Sequence, residues 1–210
     1  MARVVKQERA VRTREALLHA GAEVFGEFGF VGASVSKIAD RAGLTLGAMY
    51  FHFKSKEELA REIVRAQPGR VSPPHDSHGL QHAVDTTLTW AYGLSDDPIL
   101  FAGTRLVMDQ ENFISPEENS HRQWSDVLAS DFRDAQAKRE LRKSVDPEAL
   151  SRLIVNSCTG AQMHSSIESG QADLPHRIEE MWRIVLPAVA PPSAVARLEF
   201  GEARGRGTRG

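Results

Sequence analysis

Cysteine is all but missing from this sequence: Cys158 stands alone among 210 residues. A single thiol excludes an intramolecular disulfide framework and any cysteine-cluster metal site, and it fits a reducing compartment. Long hydrophobic runs are missing too. No stretch approaches the roughly 18 apolar residues needed to cross a bilayer. The charged opening, Met1 to Arg14, is not followed by an apolar segment, so a cytoplasmic protein without membrane contact is expected. Alternating apolar and polar residues, the mark of a half-buried strand, are also lacking, as is any internal repeat. What remains is an ordinary soluble mixture, 41% hydrophobic and 26% charged, which argues against disorder and fibrous architecture alike.

The formal net charge of −2 speaks against a general polyanion binder, but the average hides an asymmetry. Residues 1–14 carry Arg3, Lys6, Arg9, Arg12 and Arg14 against Glu8 alone, whereas residues 61–210 hold 17 basic and 21 acidic residues. Any nucleic acid is therefore expected at the N-terminal end.

Helical periodicity accounts for most of the chain. Val11, Leu17, Leu18, Val24, Phe25 and Phe28 fall at helical spacing, and Gly29 is the expected stop. Ser34 can cap a short second helix containing Val35, Ile38 and Ala39; Gly43 permits the turn; Thr45 can cap a third helix reaching towards Phe53. Two short helices joined at a glycine form a helix-turn-helix. Ser55-Lys56-Glu57-Glu58 has the form of a capping box for a fourth helix ending near Gln67, with Pro68 and Gly69 as its stop. The proline-containing segment that follows reads as a connection. Helical runs are then expected over 79–95, 98–112, 120–140, 147–169 and 174–189, with Pro98 and Pro147 in first-turn positions after Asp97 and Asp146. The Gly/Arg-rich end lacks an apolar face and is expected to be disordered.

A helix that enters the major groove needs small or hydrogen-bonding groups on its outer face and phosphate-contacting groups nearby. The stretch Thr45-Leu46-Gly47-Ala48-Met49-Tyr50-Phe51-His52-Phe53 meets that description, with Ala48, Met49, Phe51 and Phe53 expected to supply much of the inward face. The blocks Arg14-Glu15-Ala16-Leu17-Leu18, Phe25-Gly26-Glu27-Phe28-Gly29-Phe30, Ser34-Val35-Ser36-Lys37-Ile38-Ala39, Ala42-Gly43-Leu44-Thr45 and Tyr50 through Leu59 stand in the order found in TetR-family repressors. Residues 8–68 resemble the DNA-binding domain of that family. The resemblance implies DNA contacts from Ser34, Lys37, Thr45, Leu46, Gly47, Tyr50, His52 and Lys56. Tyr50 is read as a phosphate contact, while Lys56 stands evenly between a phosphate contact and solvated surface. Leu46 departs from the family pattern, which commonly has lysine there; an apolar group in that place suits a thymine methyl rather than a phosphate or a guanine edge.

Within the family, the Phe-His-Phe form of the motif, Gln67, the block Phe101-Ala102-Gly103-Thr104-Arg105-Leu106, His121-Arg122-Gln123-Trp124 and Thr159-Gly160-Ala161-Gln162 resemble the γ-butyrolactone receptor subgroup of actinomycete regulators. That resemblance implies a mostly apolar effector cavity with a few orienting polar groups. Its expected contacts are Gln67, Trp124, Asn156, Thr159 and Gln162. Such receptors place a tryptophan against the ligand at the Trp124 position and can place a hydroxyl near Ala161, for which Thr159 would have to substitute. The effector class stays open among γ-butyrolactones, butenolides, furans and antibiotics. A twofold-symmetric operator requires a homodimer, and the resemblance assigns its interface to the helices over 147–169 and 174–189, where Met181, Ile184, Val185 and Leu186 give an apolar face.

The expected architecture is thus all-α: a helix-turn-helix domain over 1–68, a linker over 69–78, a helical ligand-binding and dimerisation domain over 79–200, and a disordered tail over 201–210. Its partners are double-stranded operator DNA, a small effector and a second copy of the chain, with no cofactor. His75, His78 and His82 invite a metal reading, but no nearby group completes a shell. An enzyme finds no support, since nucleophile elbow, phosphate loop and placeable acid/base pair are all missing. The basic N-terminus with its helix-turn-helix likewise disfavours a pure protein-interaction module.

Overall fold

The computed structural model describes residues 2–115 and 119–206, with side chains from residue 7 onward. Among these residues there is helix and turn and no strand. The elements are α1 (Ala2–Gly32), α2 (Val35–Ala42), α3 (Leu46–His52), α4 (Lys56–Arg70), α5 (Gly79–Gly93), α6 (Pro98–Leu106), a 3₁₀ turn at Gln110–Asn112, α7 (Ser120–Ala137), α8 (Pro147–Ser169), α9 (Leu174–Val189), α10 (Pro192–Val195) and α11 (Glu202–Arg206).

Capping side chains set most boundaries. The Ser34 and Thr45 hydroxyls each accept the N–H three residues ahead at 3.2 Å, and Ser55 accepts from Glu58 at 3.2 Å. The Asp97 and Asp146 carboxylates accept backbone N–H groups behind the first-turn prolines of α6 and α8. Gly43 closes α2 at φ 65°, a left-handed conformation that a side chain would strain. At Gly29 (φ 68°) the first helix kinks rather than ends, and a further turn runs to Gly32. The fourth helix also outruns its expected stop: Pro68 lies in its last turn, where the missing N–H forfeits a single bond and the helix reaches Arg70. Irregular backbone covers 71–78.

The chain forms two compact units, one from Met1–Gln67 with Asp97–Asn119, the other from Pro68–Asp96 with Ser120–Gly210. Within the first unit, α6 and the 3₁₀ turn pack on α1. Ile99, Ala102, Leu106 and Phe113 join the core of Leu17, Phe25, Phe30, Ile38, Met49, Phe53, Leu59 and Ile63. Phe113 stacks on Phe30 at 4.7 Å, the Phe30 N–H donates to Asp109 at 3.3 Å, and Arg61 donates to the Phe113 carbonyl at 3.0 Å.

The second unit is built around α5, which packs against α7, α9 and α11. Trp182 of α9 is fully buried, edge-on to Phe132, and its Nε1–H donates to Thr87 Oγ1 at 2.8 Å. Cys158 lies in the same interior, where burial pushes its thiol up to about 12; it is inert at neutral pH. Part of the tail departs from its expected disorder. Residues 202–206 form α11 against α5, with Arg204 donating to the fully buried Asp85 carboxylate through Nε at 2.9 Å and through Nη2. Ser77 and Gln81 complete the carboxylate's partners at 2.6 and 2.8 Å. Residues 207–210, also expected to be disordered, lie outside the described residues.

Between α5 and α7, His82 Nδ1 lies 3.0 Å from Asp131 Oδ1. That hydrogen bond raises the His82 pKa above its ordinary 6.5 against the opposing effect of burial, with Asp85 and Asp134 adding attraction. The folded state holds the proton more tightly, so the stabilisation is fully present below about pH 6.5 and is lost as pH rises through the raised value. A His82→Gln variant is expected to lose stability below neutrality and little above it, as thermal denaturation between about pH 5 and pH 8 would show.

Candidate functional site

In the first unit, α3 presents an outer face made of Leu46 (45% exposed), Gly47, Tyr50 (52%) and Phe51 (81%). Met49 and Phe53, four residues apart, occupy the inner face and are buried. Phe51 lies two residues from each and so turns to the opposite side, which overturns its expected place in the core. A Cβ at Gly47 would meet only Thr45 Oγ1 at 3.8 Å, leaving the backbone open to close approach. Thr45 is exposed, and its oxygen is engaged by the Ala48 N–H. His52 is half-buried, its ring edge-on to Phe51.

Of the cations nearby, Lys54 is exposed, whereas Lys37, Arg41 and Lys56 have internal partners. Lys37 is exposed but donates to the Gly32 carbonyl at 2.9 Å and lies over the Phe28 ring. Arg41 pairs with Glu23 and Glu27, which raise its pKa further. Lys56 is half-buried and donates to the carbonyls of Phe30 (2.9 Å) and Ala33 (3.2 Å) near the end of α1. Charged donors on otherwise orphaned helix carbonyls stabilise a helix end. A Lys56→Met variant is therefore expected to lose about 1–3 kcal/mol of stability in urea denaturation. Of the N-terminal cations, Arg14 pairs with Glu62 at 2.5 Å, Arg9 and Arg12 are exposed, and the side chains of Arg3 and Lys6 lie outside the described ones.

The expected effector residues fall in both units. Gln67 belongs to the first: it is 2% exposed and its Nε2 has no hydrogen-bond partner. Its amide is laid on Gly103 of α6, where an added Cβ would come within 2.2 Å. An unsatisfied buried amide costs about 1–3 kcal/mol, the kind of expense retained at functional positions.

In the second unit, Trp124 of α7 is half-buried, and His121, one turn earlier, faces Thr159 of α8 with Nε2 3.3 Å from Oγ1. Burial lowers the His121 pKa, favouring the neutral ring. Gln162 is buried. Trp124, Thr159 and Gln162 thus lie on mutually packed helices of one unit. Asn156 does not join them. It is exposed on a stripe of α8 shared with Leu153 (50% exposed), Met163 (40%) and Ile167 (85%), away from the buried Gln162. On α9, Ile184 is likewise exposed, whereas Leu186 is buried in the core and leaves the apolar face expected of it.

Residues missed in the sequence are the Asp85–Arg204 pair and the Trp182–Thr87 bond. An aspartate within the apolar run Ala83 to Leu88 was the available signal for the first.

A capped reading helix after a tight turn, on one unit, and a helical unit with outward apolar stripes define a DNA-binding regulator. Residues 17–63 match the bacterial regulatory proteins of the tetR family, and residues 78–191 match the tetracyclin repressor-like C-terminal domain. The chain belongs to the TetR family. Such proteins are transcription regulators rather than enzymes; they bind operator DNA as dimers and respond to small ligands. The chain is 36% identical to the A-factor receptor protein of Streptomyces griseus, over 93% of this chain and 70% of that one. It superposes on TylP, a TetR regulator from Streptomyces fradiae, with a TM-score of 0.85 at 35% identity, covering 94% and 95% of the two chains. A γ-butyrolactone receptor described as ArpA-like superposes with a TM-score of 0.68 at 26% identity, covering 90% and 94%. No helix among the described residues is long and apolar enough to cross a membrane.

Proposed function

We propose that this chain is a cytoplasmic repressor that binds palindromic operator DNA as a homodimer and is released by a γ-butyrolactone-like signalling molecule, in control of secondary metabolism. The observation that carries this reading is the similarity to the A-factor receptor, which runs through both units at 36% identity over 196 residues. Supporting it locally are the outward face of α3 and the half-buried Trp124 on α7, which packs against the α8 helix bearing Thr159 and Gln162. The exposed stripe of Leu153, Asn156, Met163 and Ile167, with Ile184 on α9, is the face assigned to the partner subunit.

Release requires that the effector bind better to a conformation whose two reading helices no longer match successive major grooves, since only differential affinity shifts an equilibrium. Within the second unit, Trp124 supplies an apolar wall and Thr159 and Gln162 supply orienting hydrogen bonds. Ser34, Lys37, Thr45, Leu46, Gly47, Tyr50 and His52 are the proposed DNA contacts, with Lys56 buttressing the unit from within. Fluorescence anisotropy on a duplex selected from genomic DNA tests the reading: binding as a dimer, reversed by a γ-butyrolactone, is expected. Binding that no lactone reverses would direct attention to another effector class, and failure to select any duplex would remove the repressor.

A further inference from the structure

The outer face of α3 holds no charged group. Leu46 and Tyr50 are one turn apart, as are Gly47 and Phe51, and all four are exposed. Lys37, Arg41 and Lys56 each have internal partners, and Thr45 spends its oxygen on the Ala48 N–H. A surface so composed has no bidentate donor for guanine, no amide for adenine and no carboxylate for cytosine. It has instead a large apolar area in solvent, ending in an aromatic ring that is 81% exposed.

We infer that Leu46 reads thymine through its 5-methyl group, and that each operator half-site carries thymine beneath the first turn of α3. This rests on the repressor reading above. In the major groove every other base edge offers donors or acceptors, and only thymine adds an apolar group. Leu46 against a guanine or adenine edge would strip water from polar atoms and give nothing in exchange. Against thymine it covers a methyl group at no such cost. Gly47 beside it has no side chain to hold the helix away from the groove, and Tyr50 and Phe51 flank the contact and keep water from it.

The test begins with selection of duplexes from a random pool by the full-length protein. Deoxyuridine then replaces thymine in each enriched half-site, deleting the methyl while preserving base pairing. Affinity is expected to fall about fourfold for each contacted methyl removed. Leu46→Ala should bind the thymine duplex more weakly and no longer distinguish thymine from uracil; its exposed position leaves thermal stability unchanged as a control. If the uracil duplex binds as tightly, or if Leu46→Ala keeps the full thymine-to-uracil ratio, the inference is overturned while the repressor reading stands on the selected sequence. If no sequence is enriched, both fall together.

Discussion

Arg204→Met is expected to destabilise the protein by about 3–5 kcal/mol, the usual consequence of leaving a buried charge without its partner. Asp85 is wholly enclosed in α5, and Arg204 is the cation that neutralises it. Ser77 and Gln81 remain as hydrogen-bond donors in the variant, but neither carries charge. At a chain length of 210 residues this corresponds to a fall in Tm of roughly 10 °C, provided protein concentration is held fixed. Truncation before Glu199 should do at least as much, since it also removes the paired bonds between Gln81 and the Glu199 backbone. An Asp85→Leu/Arg204→Met double variant should recover much of the loss, because replacing both members of a buried pair by apolar groups is often neutral. A Tm for Arg204→Met within a degree or two of the parent would show that α11 does not hold the second unit.

Two of the three tryptophans of that unit, Trp182 and Trp124, should separate stability from response. Trp182→Ala is expected to cost about 3–5 kcal/mol, as for other large-to-small changes in a packed core. It opens a void beside Phe132 and deprives Thr87 of its indole donor. Trp124 is only half-buried and has less packing to lose, so Trp124→Ala should change Tm far less. Its effect is expected on effector response, with operator affinity kept and lactone release lost. Equal destabilisation by both substitutions, with release intact in Trp124→Ala, would make Trp124 a core residue and nothing more.

Much of the architecture is legible in the sequence because its boundaries are chemical. Asp97-Pro98 and Asp146-Pro147 begin helices where a capping carboxylate precedes a ring that suits the first turn, and Ser34, Thr45 and Gly43 punctuate the helix-turn-helix in the same way. Direction around a helix is harder to read when apolar residues crowd a short one. Tyr50-Phe51-His52-Phe53 is aromatic at every step, and only packing selects Phe53 for the core and Phe51 for solvent. Long-range partners are harder still. Arg204 meets Asp85 across 119 residues, and composition alone marks the final segment as a loose tail. The grouping of α6 with the first unit is hidden for a related reason, since its contacts with α1 reach far back along the chain.

Among the effector residues, periodicity alone could not divide α8 into its two roles. Thr159 and Gln162 turn inward while Asn156 turns outward, although all three lie within two turns. The distinction follows from where α7 packs, seen in the approach of His121 to Thr159. The half-buried position of Trp124, by contrast, leaves its expected role as a wall available.

In the proposed function, one dimeric protein couples a lactone-sized effector to operator release. The most direct test of that coupling is the anisotropy of the selected duplex bound to the full-length protein during titration with a γ-butyrolactone, run in parallel on Trp124→Ala. Release of DNA from the parent dimer and continued binding by the variant are expected. Operator binding that is unaffected by the lactone in the parent, or released equally in both proteins, would contradict the coupling.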